Sequence, residues 1–92
     1  MLIPLLAIDG GDGEIVQTLI SPASPVVNKK IKDLVLPMGT LFITIIRGEE
    51  VLIPRGDTEL REDDQLIFLV RKVHEPALRQ VLIATGTDRK NA

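Results

Sequence analysis

An α+β fold, with a small and mainly antiparallel sheet carrying two helices on one face, is what this 92-residue sequence predicts. Three observations lead there. Short apolar runs of strand length, rich in β-branched residues, recur along the chain. Two of them, Leu41–Ile46 and Val51–Ile53, are separated only by Arg47-Gly48-Glu49-Glu50, which is hairpin spacing. Two other stretches carry apolar residues at i, i+3 and i+4, the spacing of short amphipathic helices. The expected order is β-α-β-β-β-α, and the length is that of one domain.

Taken in order, Met1–Ile8 (MLIPLLAI) is too short to span a membrane and lacks the basic start and small-residue cleavage site of a signal peptide. Pro4 has no N–H for a helix interior or a central strand, so this run is expected to lie as a greasy segment on the domain or its neighbour. Asp9–Gly13 (DGGDG) is a turn; its glycines match no phosphate-loop spacing. Residues 1–13 thus form an apolar segment and turn ahead of a domain over 14–86, with 87–92 a frayed polar tail.

Glu14–Ile20 is the first strand of that domain, closed by the prolines of Ser21-Pro22-Ala23-Ser24-Pro25. Asn28 is a reasonable N-cap for a helix running to about Leu34 or Val35, with Ile31, Leu34 and Val35 toward the sheet and Lys29, Lys30, Lys32 and Asp33 toward water. Pro37 and Gly39 end it. Pro54 stops the second hairpin strand, and Arg55-Gly56-Asp57-Thr58 is a turn. Gln65–Arg71 is another strand. A last helix is expected from Glu75 to about Thr85, with Pro76 in its first turn, Leu78, Val81 and Leu82 as its core stripe, and Gly86 as its C-cap.

Simple alternation along Leu41–Ile46 puts Leu41, Ile43 and Ile45 on one face and Phe42, Thr44 and Ile46 on the other, so both faces are apolar. Two short helices cannot cover both sides of a sheet. The expectation is a dimer interface formed by Leu41, Ile43 and Ile45.

Composition removes several function classes. There is no cysteine, which excludes thiolate metal sites, disulfides and thiol catalysis. The only aromatics are Phe42 and Phe68, too few for a base-stacking platform, and a net charge of −2 without a long basic block argues against nucleic-acid binding. His74 is the sole histidine and sits at a helix start, where a capping or surface role outweighs that of a base. Ser21 and Ser24 lie among prolines with no base partner in sequence. The acidic run Asp57, Glu59, Glu62, Asp63, Asp64 lacks EF-hand spacing and reads as a solvated turn. No catalytic residue and no metal site are therefore assigned. Arg47 and Arg55, each at an end of a hairpin strand, are suited either to anion recognition or to a structural ion pair, for instance Arg55 with Asp57 or Glu59.

The ordered series Ile31-Lys-Asp-Leu34, Leu36-Pro-Met-Gly-Thr40, Ile43-Thr-Ile-Ile-Arg-Gly48, Val51-Leu-Ile-Pro54, Gly56-Asp-Thr58, Leu60, Asp64 and Leu66-Ile-Phe-Leu69 resembles the TrkA-C domain, the C-terminal lobe of RCK (regulator of potassium conductance) proteins. The family usually has Gly-Asp where this chain has Asp63-Asp64. The resemblance implies a TrkA-C-like regulatory domain of a potassium uptake transporter or channel, cytoplasmic and held at the inner face of the membrane by a partner or fused domain, without inserting itself. It implies a homodimer and, in some members, cyclic di-AMP or another nucleotide as effector rather than a resident cofactor. The expected contacts are Ile45, Ile46 and Ile53 to the bases and Arg47 or Arg55 to the phosphates. The alternative is a purely structural dimerisation module of a membrane carrier that binds nothing small.

Overall fold

The computed structural model describes residues 2–83. Five strands form one sheet: β1 (Ile3–Ile8), β2 (Gly13–Leu19), β3 (Thr40–Arg47), β4 (Glu50–Leu52) and β5 (Gln65–Arg71), in the spatial order β1-β2-β5-β3-β4. Every pairing is antiparallel. One helix, α1 (Glu75–Leu82), follows β5. The α+β class, the hairpin and the C-terminal helix thus stand as the sequence predicts, and the expectation of two helices needs correction.

Where the first helix was expected, the chain makes only a single 3-10 turn over Ile31–Asp33. The backbone there is recruited elsewhere. Asn28 N–H donates to the Leu60 carbonyl (2.7 Å), Ile31 N–H to Thr58 (3.0 Å) and Lys32 N–H to Gly56 (2.9 Å), while Leu60 N–H returns to Lys29 (2.9 Å). These long-range bonds form an irregular two-stranded ribbon between residues 28–32 and 56–60. An α-helix capped at Asn28 would need the Lys32 N–H and the Lys29 carbonyl for its own bonds, and both are taken here by residues 56–60. Asn28 accordingly is no N-cap; it sits at φ 67, a left-handed conformation that Asn tolerates better than most residues.

The N-terminal run is also more than a greasy segment. Ile3–Ile8 pairs along β2 as an edge strand, with a register shift between Pro4 and Leu6. An edge strand and a bulge are among the few places where a proline fits a sheet. The C-terminal helix is described through Leu82, with Ile83 as its C-cap. The expected continuation to Thr85, the Gly86 cap and the frayed tail lie outside the described residues.

The core lies on one side of the sheet. Val16, Leu66, Phe68, Val70 and Ile45 supply the sheet's contribution; Leu78 and Leu82 of α1, with Ile20, Val26 and Leu60 of the connecting loops, cover them. Leu78 and Leu82 are four residues apart and so project from the same side of α1. Phe42 stacks on its cross-strand partner Phe68 with ring centroids 4.3 Å apart. Ser24 ties the cover together: its buried hydroxyl donates to the Leu82 carbonyl at 2.6 Å and accepts from Val26 N–H. A carbonyl at the helix C-terminus thereby gains a partner.

The described residues leave the opposite side of the sheet open. Leu6 pairs with Ile15, Ile15 with Leu69, Leu69 with Leu41, and Ile46 with Val51, so these side chains share a face. Leu6, Leu41 and Val51 are each more than half exposed.

Candidate functional site

The β3–β4 hairpin closes through Gly48 and Glu49, with Gly48 at φ 65 and Arg47 paired to Glu50. That left-handed position in a two-residue turn is where glycine is least strained. On the way there, β3 contains a bulge: Phe42 pairs with Phe68 but Thr44 with Ile67, one residue having been inserted. The insertion exchanges the faces of everything that follows.

The consequences fall on the predicted interface residues. Leu41 and Ile43 are exposed, Leu41 at 59%, whereas Ile45 pairs with Leu66 and is fully buried in the core. Ile45 is thus corrected on both expectations: it is neither an available interface residue nor an available ligand contact. Ile46 is half-buried on the open side opposite Val51. Ile53, just beyond β4, is 66% exposed. Among the four candidate contacts that remain, Ile46 and Ile53 are accessible aliphatics, and the two arginines differ sharply.

Arg47 lies two residues beyond Ile45 and is held against the 59–64 loop. Its Nε donates to Asp64 Oδ1 at 2.9 Å, and its Nη2 donates to Asp64 Oδ2 at 2.8 Å and to the Glu59 carbonyl at 2.9 Å. Asp64 is almost wholly buried and also accepts Arg61 N–H at 2.9 Å. Its backbone carbonyl accepts Ile20 N–H, and Asp63 N–H donates to the Ile20 carbonyl. One residue therefore binds the ends of β2, β3 and β5 together. Burial pushes the Asp64 carboxyl up, but the Arg47 and Arg61 hydrogen bonds and their charges outweigh it and hold it below the ordinary aspartate value. The same bond to Asp64 raises Arg47, with burial opposing.

This clamp was missed in the acidic run read as a solvated turn. The pair Asp63-Asp64 was its only visible signal. Asp63 stands at φ 71, so the turn keeps the left-handed geometry that suits glycine.

Arg55 opens the turn that follows the hairpin. Its N–H donates to Thr58 Oγ1 and its carbonyl accepts Thr58 N–H, both at 3.0 Å. Its side chain is exposed and, among the described residues, makes no hydrogen bond or ion pair, so the expected bridges to Asp57 or Glu59 do not form. The remaining polar candidates have structural settings. Ser24 is engaged with α1, and Ser21 is exposed. His74 precedes α1 without a side-chain cap bond. No group of three potential metal ligands occurs among the described residues, and no described helix is long and apolar enough to cross a membrane.

Residues 15–82 match the family model of the TrkA-C domain. Similar curated proteins include the Trk system potassium uptake protein TrkA homolog 1 of Methanosarcina mazei, 35% identical over 64 residues. The alignment takes in 70% of this chain and 14% of that protein. The Trk system potassium uptake protein TrkA of Mycobacterium tuberculosis is 28% identical, with 89% of this chain and 37% of the relative covered. The chain thus spans only a minor part of these relatives. Among solved structures, an RCK domain determined "with cda" superposes with a TM-score of 0.64 at 28% identity, covering 74% of this chain and 96% of that one.

Proposed function

This chain belongs to the TrkA-C domain family, and from that premise we propose that it is a cytoplasmic regulatory domain of a potassium uptake transporter or channel. It pairs with a second copy through its open sheet face, binds a nucleotide effector at the hairpin end of that face, and passes the change in pairing to the membrane gate. The similar Trk proteins are potassium uptake proteins, and cyclic di-AMP is the favoured effector because a similar RCK domain was solved "with cda". No catalytic step is part of the proposal.

The observation that carries it is the one-sided cover of the sheet. α1 and the loops pack on one face, while Leu6, Leu41, Ile43, Val51 and Ile53 stand exposed on or beside the other. Apolar surface of this continuity supports reading the face as an interface. A two-fold pairing would bury it against itself, since the same patch serves both copies. An effector seated between copies would favour one dimer geometry by as much as it binds that geometry better.

Calorimetric titration of the purified protein with cyclic di-AMP and a panel of other nucleotides tests the effector half. Saturable heat and an upward shift in melting temperature are expected with cyclic di-AMP. Absence of both across the panel would reject ligand sensing and leave the open face as a structural dimerisation surface.

A further inference from the structure

Resting on that reading of the hairpin end, we infer that the two arginines have separate roles: Arg55 contacts the effector's anionic group, and Arg47 holds the fold through Asp64 and does not. Arg47 is already committed, with three N–H donors fixed on Asp64 and the Glu59 carbonyl. To grip a phosphate with the same edge it must abandon a carboxylate that is 1% exposed, leaving a buried charge unpaired. It also lies on the wrong side. Arg47 follows the buried Ile45 by two residues, whereas Ile46 and Val51 occupy the opposite face.

Arg55 has none of these engagements among the described residues. Its backbone is fixed by two bonds to Thr58, so the side chain departs from a rigid base two residues after the exposed Ile53. Lys32 adjoins it: Lys32 N–H donates to the Gly56 carbonyl at 2.9 Å, and its Cβ lies 3.5 Å from where a Cβ on Gly56 would stand. The corner therefore sets exposed aliphatic surface beside two cations that are unpaired among the described residues. An anion bearing an apolar ring system, the chemistry of a nucleotide, suits such a corner, the rings on Ile53 and the phosphate on Arg55.

The test is calorimetric titration with cyclic di-AMP, paired with thermal melting, on wild type, Arg55→Gln, Arg55→Lys and Arg47→Lys. The inference expects Arg55→Gln to melt as wild type does and to bind about tenfold or more weakly. Arg55→Lys should recover part of that loss. Arg47→Lys should melt lower yet, where still folded, keep more affinity than Arg55→Gln. Wild-type affinity in Arg55→Gln, or a folded Arg47→Lys that binds more weakly than Arg55→Gln, would overturn the division of roles while leaving the effector reading intact. If Arg47→Lys does not fold, the Arg55 pair decides alone. A wild type that binds neither cyclic di-AMP nor any other nucleotide rejects the effector reading, and the inference falls with it.

Discussion

At the scale of single residues, Asp64 concentrates more of the fold than any other polar side chain among the described residues. Its carboxylate takes two hydrogen bonds from Arg47 and one from Arg61, and its backbone anchors Ile20. Replacing it by Asn keeps the shape but removes the charge that the guanidinium faces, and Arg47 is itself only partly exposed. A loss of about 1–3 kcal/mol in unfolding free energy is expected by denaturant titration. The sign of the pH effect follows from the depressed carboxyl. The stabilisation is present above the unfolded aspartate value of about 3.9 and is lost as pH falls through the lower folded value. Wild type should therefore lose stability more steeply than Asp64→Asn on acidification through that window, measured by melting at a series of pH values. Asp63, at φ 71, predicts the opposite kind of change. Asp63→Gly relieves the left-handed strain but frees the unfolded chain, so the net is a gain of no more than about 1 kcal/mol.

At the scale of elements, the bulge in β3 decides which isoleucine does what. Ile45→Ala should cost about 2–5 kcal/mol because the residue is fully buried beneath α1 and the loops. Leu41→Ala, four residues earlier and 59% exposed, should change the stability of the isolated chain little. Denaturant titration of the two variants compares them directly, and equal losses would reject the observed register. Ser24→Ala should cost about 1 kcal/mol by removing the hydroxyl that ends α1 at Leu82. The hairpin, β5 and α1 were legible because each is a local pattern of apolar spacing and punctuation. The bulge was not, since the inserted residue between Phe42 and Thr44 has no turn signal of its own. Nor was the missing first helix. Ile31, Leu34 and Val35 have helical spacing, but residues 56–60, more than twenty positions away, pair with the extended backbone of 28–32 and take the Lys32 N–H and Lys29 carbonyl that a helix would use.

At the scale of the whole molecule, a sheet with one covered face and one open apolar face is incomplete as a solvated body. Leu41→Glu and Ile43→Glu should therefore yield a monomer by sedimentation with little change in the fold of the chain, because neither side chain enters the core cluster. A wild type that sediments as a monomer would reject pairing through this face. The sequence by itself determined the class of fold, its strand and helix order apart from the first helix and the N-terminal edge strand, the surplus of apolar surface over available cover, and membership of the TrkA-C family. Those are matters of composition, local period and ordered motifs. Only the tertiary structure decided that Ile45 turns inward, that Ile3–Ile8 supplies an edge strand, and that Arg47 is held by Asp64 while Arg55 stands unengaged among the described residues. Each of these depends on partners distant in the chain, whose register and hydrogen bonds outweigh the local preference.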